Sequence, residues 1–123
     1  MTAVLQISDT HIVPHGALVS GRLDTADALE RLVTRITSIR DQIGSIDALL
    51  VSGDLSDDGS TESYERFTSL IAPLDLPTYV IPGNHDARDP MRTVFTDSLP
   101  VFGPLNWARQ VGEIHLIGLD TLV

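Results

Sequence analysis

Three short clusters of side chains in this chain could do chemistry: Asp9-Thr10-His11, Gly53-Asp54 and Gly83-Asn84-His85-Asp86. They offer carboxylate, imidazole and amide oxygen, the donors that hold metal ions or move protons. Cysteine is absent, so no thiolate takes part. The donor set suits Mn, Fe or Zn better than Ca or a sulfur-bound metal. Each cluster taken alone is also an ordinary polar turn. What distinguishes them is recurrence, because each follows an apolar run with strand character.

Those runs are Val4-Leu5-Gln6-Ile7-Ser8, Asp47 to Ser52 and Pro77 to Ile81. Between the first two, Leu29, Leu32, Val33, Ile36, Ile39 and Ile43 recur at three- and four-residue steps and predict an amphipathic helix. Asp24, Thr25 or Asp27 can cap its start, and Gly44 suits the position past its end. A second helix is predicted from Ser60, with Tyr64, Phe67, Leu70 and Ile71 on one face and Pro73 as its stop. Asp89-Pro90 reads as an N-cap with proline at the first helical position, starting a short helix through Phe95. Leu105 to Val111 and Ile114 to Leu119 flank Gly112-Glu113, which suits a type II′ hairpin turn.

The order is therefore βαβαβ, then a short helix and a hairpin: an α/β fold with parallel strands and right-handed crossovers. Ligands of open α/β sheets bind beyond the carboxyl ends of the strands, so the three polar endings are expected to converge. In extended backbone, residues two apart point the same way, which would let Asp9 and His11 bind one ion together.

A chain of 123 residues suits one modest domain, 1–123. No apolar run approaches the roughly 20 residues of a membrane span. Met1 to Leu5 enters a strand with no basic, signal-like segment, so the expected compartment is the cytoplasm. All eight basic residues are arginine, which excludes a P-loop lysine and Schiff-base chemistry. A formal charge of −9 argues against a surface for long nucleic acid. A small anionic substrate stays compatible, because bound cations invert the local charge.

In this order and spacing, Asp9-x-His11, Gly53-Asp54 and Gly83-Asn84-His85-Asp86 resemble the first three motifs of the calcineurin-like metallophosphoesterases. The likeness runs the length of the chain. It is nearest to the branch of class III cyclic-nucleotide phosphodiesterases and glycerophosphodiesterases, and the Gly118-Leu119-Asp120-Thr121 strand ending shares it. The resemblance implies the N-terminal half of a four-layer α/β/β/α sandwich. It also implies two divalent or trivalent metal ions (Mn, Fe or Zn) and hydrolysis of a small phosphodiester. By the same resemblance, Asp9 and His11 hold the first metal, Asp54 bridges to the second, and Asn84 ligates the second. His85 stands beside the leaving-group oxygen, and Asp86 orients His85.

Physics supports that division. Two cations about 3.5–4 Å apart need an anionic bridge, and a hydroxide held between them becomes a nucleophile at neutral pH. It would attack phosphorus in line while His85 supplies a proton to the departing alkoxide.

The family completes its site with a later lone histidine and a Gly-His-x-His. Only His11, His15, His85 and His115 are present here. The expectation is an apparently truncated domain with little hydrolase activity alone. Its partners would be a complementing C-terminal half or another copy of itself, through an exposed sheet face and edge. Alternative readings are a vestigial or self-associating fragment without catalysis, and a phosphomonoesterase built on the same dinuclear core. Asp57 and Asp58 read first as a solvated turn capping the next helix and second as residues that tune the site, His15 first as a surface histidine and second as a substrate contact, and His115 as structural. Asp120 reads equally as a turn residue or a site contact.

Overall fold

A computed structural model describes all 123 residues. The elements are β1 (Val4–Ile7), α1 (Thr25–Ile43), β2 (Ala48–Ser52) and α2 (Thr61–Ile71), with a 3-10 turn at Ala72–Leu74. They are followed by β3 (Thr78–Ile81), α3 (Arg88–Val94), β4 (Trp107–Val111) and β5 (Ile114–Gly118). The first three strands form a parallel sheet in the order β1-β2-β3, and β4-β5 is a separate antiparallel pair. Parallel strands whose order advances in one direction keep right-handed crossovers on one face. Accordingly α1 and α2 pack side by side.

Local chemistry explains the helix ends. Asp24 caps α1 by accepting from the Asp27 N–H at 3.0 Å, and Gly44 follows with φ 86. Ser60 caps α2 through the Ser63 N–H. The core joins Leu29, Val33 and Ile36 of α1 to Tyr64, Phe67 and Ile71 of α2 and to Leu49, Val51 and Val80 of the sheet. Burial of side chains of this size, about 1.5–3 kcal/mol each, supplies the main stabilisation.

Several expectations change. Leu32 and Ile43 are exposed, so the buried stripe of α1 is narrower than its periodicity implies. α2 does stop ahead of Pro73, at Ile71, but Pro73 is not a bare terminator: it sits inside the 3-10 turn that follows, which Asp75 closes in left-handed backbone with φ 50. Asp89 is not a cap either, because α3 starts at Arg88 after Ala87, and no side chain caps it. Pro90 then occupies the third helical position, still within the turn whose N–H groups have no helical acceptor. The hairpin turn is as expected: Gly112 has φ 55, while Glu113 stays outside the left-handed region.

Candidate metal centre

Strand register brings the three clusters together. β2 is central, so the residues after it lie between those after β1 and β3. Pairing continues past the strands: Asp9 N–H donates to the Gly53 carbonyl, His11 N–H to that of Asp54, and Ile12 N–H to that of Leu55, at 2.9–3.0 Å. From the other side, His85 N–H donates to Asp54 Oδ1 at 2.9 Å. Asp54 is thus the shared middle of the constellation.

Asp9, His11 and Asp54 have φ of 58, 44 and 50. Left-handed backbone costs an ordinary residue about 1–2 kcal/mol, and such strain persists only where the surroundings enforce it. This corrects the extended-strand argument for Asp9 and His11. Their side chains do converge, with His11 Nε2 3.7 Å from Asp9 Oδ1 and 3.6 Å from Asp54 Oδ2. The left-handed bends bring them there, not the alternation of a strand. Gly83 permits the close approach of the third loop, since a Cβ there would collide with the Asp54 carboxylate and amide nitrogen.

Asp9, His11 and Asp54 place one donor atom each within 4.8 Å of the others. Carboxylate oxygens with an imidazole nitrogen make a fitting donor set for a Mn, Fe or Zn ion. Nothing already consumes it: Asp54 spends one oxygen on a single backbone N–H, and the Asp9 side chain is 64% exposed. Asn84 lies on the same rim and is exposed.

Asp57 is the residue whose site role sequence reasoning ranked second, behind a helix-capping turn. Its Oδ1 lies 3.1 Å from His11 Nδ1 and 3.4 Å from His85 Nδ1, and its carbonyl lies 3.0 Å from the same His85 nitrogen. The two imidazoles meet edge to face, with centroids 4.9 Å apart. A carboxylate behind a ligating histidine fixes ring and tautomer. The Asp57 carbonyl, together with the charges of Asp54, Asp57 and Asp86, outweighs burial and holds the His85 imidazole above its usual pKa. Ser60 itself caps α2, and Asp58 braces that cap rather than making it, accepting from Ser60 N, Ser60 Oγ and Ser63 Oγ. Burial alone would raise its pKa, but those hydrogen bonds leave it below the usual value.

Asp86 is displaced from the role expected of it. Its carboxylate accepts from Leu55 N, Ser56 N, Ser56 Oγ, Tyr64 Oη and Gly83 N at 2.8–3.2 Å. Those five donors draw it into the protein and away from the His85 ring, whose nitrogen bonds Asp57 instead. Burial first of all pushes the Tyr64 phenol well up, so it remains a donor to Asp86. His115 is exposed on β5 and supports no core. Asp120 pairs with Arg88 and belongs to neither group of candidate metal donors.

Residues 2–122 match the family described as calcineurin-like phosphoesterase. The chain is 46% identical over 121 residues to a 3′,5′-cyclic adenosine monophosphate phosphodiesterase of Pseudomonas aeruginosa, covering 98% of this chain and 42% of that one. It is 34% identical over 123 residues to a probable glycerophosphodiester phosphodiesterase of Arcobacter nitrofigilis, covering 98% of this chain and 44% of the relative. A cAMP/cGMP dual specificity phosphodiesterase of Mycobacterium tuberculosis is 31% identical, with 98% of this chain and 38% of the relative covered. The chain therefore spans less than half the length of these curated relatives. A purple acid phosphatase from yellow lupin seeds superposes with a TM-score of 0.59 at 16% identity, over 94% of this chain and 23% of its own. That likeness is one of fold alone.

Proposed function

The chain belongs to the calcineurin-like phosphoesterase family, and from that premise we propose that it forms one wall of a metal-dependent phosphodiesterase site. The observation that carries the reading is Asp54, whose carboxylate stands between the first and third strand ends and keeps free lone pairs. Asp9, His11 and Asp54 would hold one ion, and Asp54 with Asn84 a second. Bound there, two cations would acidify a water and offset charge on the phosphoryl oxygens. Asp57 fixes the His11 ring, and its carbonyl fixes His85. His85 would supply the proton to the departing alkoxide.

The substrate class is a small phosphodiester, of the cyclic-nucleotide or glycerophosphodiester kind named for the relatives. The acidic balance of the chain disfavours a long polyanion. Asp9, His11, Asp54 and Asn84 are few donors for two ions, so the remaining ligands come from outside these 123 residues. Alone, the chain is expected to bind metal weakly and turn over little substrate.

Titration with Mn2+ tests this. Wild-type chain should take up the ion and the Asp54→Asn variant should bind it at least tenfold more weakly. Unchanged affinity in that variant would sink the reading. In an enzyme completed with its other ligands, His85→Ala should depress turnover of bis(p-nitrophenyl) phosphate about 10²–10⁴-fold while metal content stays level. A second reading, self-association, is favoured by the exposed Ile117 and Leu119 on and after β5. Sedimentation showing only monomer at high concentration would dismiss it.

A further inference from the structure

Two residues that the proposed chemistry does not use meet behind the third loop. Arg88 opens α3 three positions after His85, and Asp120 follows β5. The Asp120 side chain is fully enclosed. Its Oδ2 accepts from Arg88 Nε at 2.6 Å and Leu105 N at 2.7 Å, and its Oδ1 from Arg88 Nη2 and Leu122 N at 3.0 Å. Arg88 Nη2 donates in addition to the Leu122 carbonyl. A bidentate fork of this kind fixes orientation as well as distance.

The same hairpin is fastened at a second point. Trp107 of β4 donates its indole N–H to the Val80 carbonyl at 2.8 Å, two residues before Pro82-Gly83. Gly118 lies opposite Trp107 in the β4–β5 register, and a Cβ at Gly118 would run into the indole. The Asn84–His85 loop thus lies between two anchor points, Val80 and Arg88, held by the hairpin and the segment after it. A side chain is placed accurately only when its supporting backbone is itself held. An arginine on the rim of a phosphoesterase site invites reading as an anion binder. Here Nε and Nη2 of the guanidinium are already committed to protein acceptors.

We propose that the β4–β5 hairpin and the Asp120 segment after it form a second strut for the Asn84–His85 wall, beside its Asp54 and Asp57 contacts, with Arg88 and Asp120 as positioning residues rather than groups that meet substrate. Its catalytic meaning rests on the function proposed above, but the strut itself can be tested without metal. Assigned ¹H–¹⁵N spectra of the metal-free 123-residue chain would be recorded for wild type, Arg88→Gln, Asp120→Asn and the double variant, with thermal unfolding to establish that each is folded. The Asn84 and His85 amide signals should move in both single variants. The double variant should move them no farther than either single one, as two halves of one contact require.

Arg88→Lys keeps the charge without the fork, and should move the same signals less if the other variants fold poorly. Mn2+ titration of the variants, followed by paramagnetic broadening, should show about tenfold weaker binding at Asn84 with Asp9 and His11 unaffected. Shifts confined to residues 105–122, or additive shifts in the double variant, would overturn the proposal. A wild-type chain that binds no Mn2+ would remove the metal reading but leave the amide test of the strut intact.

Discussion

Asp54 and Asp86 are equally buried, at 8% and 7% exposure, and both touch the short segment after β2. Yet their surroundings are opposite. Asp86 is saturated by five donors from four residues. Asp54 accepts one backbone N–H and turns its other oxygen to the His11 imidazole. One region, the rim, carries left-handed backbone and carboxylates with spare lone pairs. The layer beneath it carries carboxylates with none. Burial alone therefore does not mark a site residue here; unspent acceptor capacity in a conformation that costs energy does.

The comparison predicts opposite responses to mutation. The largest effect is expected beneath the rim: Asp86→Ala orphans five donors at once and should destabilise the fold by about 3–5 kcal/mol, measured by urea unfolding. A loss below 1 kcal/mol would place Asp86 with the rim instead. Asp54→Asn should do the reverse, leaving the unfolding midpoint nearly unchanged while Mn2+ binding falls.

Acid should act on the lower layer next. The Arg88 hydrogen bond holds the Asp120 carboxyl below its ordinary 3.8. A depressed carboxylate contributes stability above its unfolded pKa and loses it as pH falls through the folded one. Stability is therefore expected to drop below about pH 4, and Asp120→Asn should flatten that part of the profile. An unaltered acid limb would contradict the pairing. The smallest effect belongs to the rim. Asp9→Gly relieves a left-handed residue and should raise stability by up to about 1 kcal/mol while weakening metal binding. Lower stability in that variant would mean that the Asp9 conformation carries no strain.

Much of the rim was legible along the chain. Three apolar runs each ending in Asp, His or Asn announced three strand ends, and in a parallel sheet such ends share an edge. Asp57 was only half legible. Beside Asp58 in an Asp-Asp-Gly turn it reads foremost as a cap, yet Ser60 is the cap and neither aspartate is. The imidazole partner of Asp57, His11, comes from 46 residues earlier, a distance that no local pattern encodes. Asp86 misled for the converse reason. Its neighbour in sequence is His85, but its donors come from β2's loop, α2 and Gly83. Adjacent residues of a tight turn point to different sides.

By itself the sequence determined the element order, the donor chemistry and the phosphoesterase family, because periodicity, capping residues and ligand types are local properties of the chain. Only the tertiary structure decided which carboxylates remain free. Lone pairs are spent on donors brought from elsewhere in the fold, so Asp54 and Asp57 face the histidines while Asp86 and Asp120 are consumed in holding the loops.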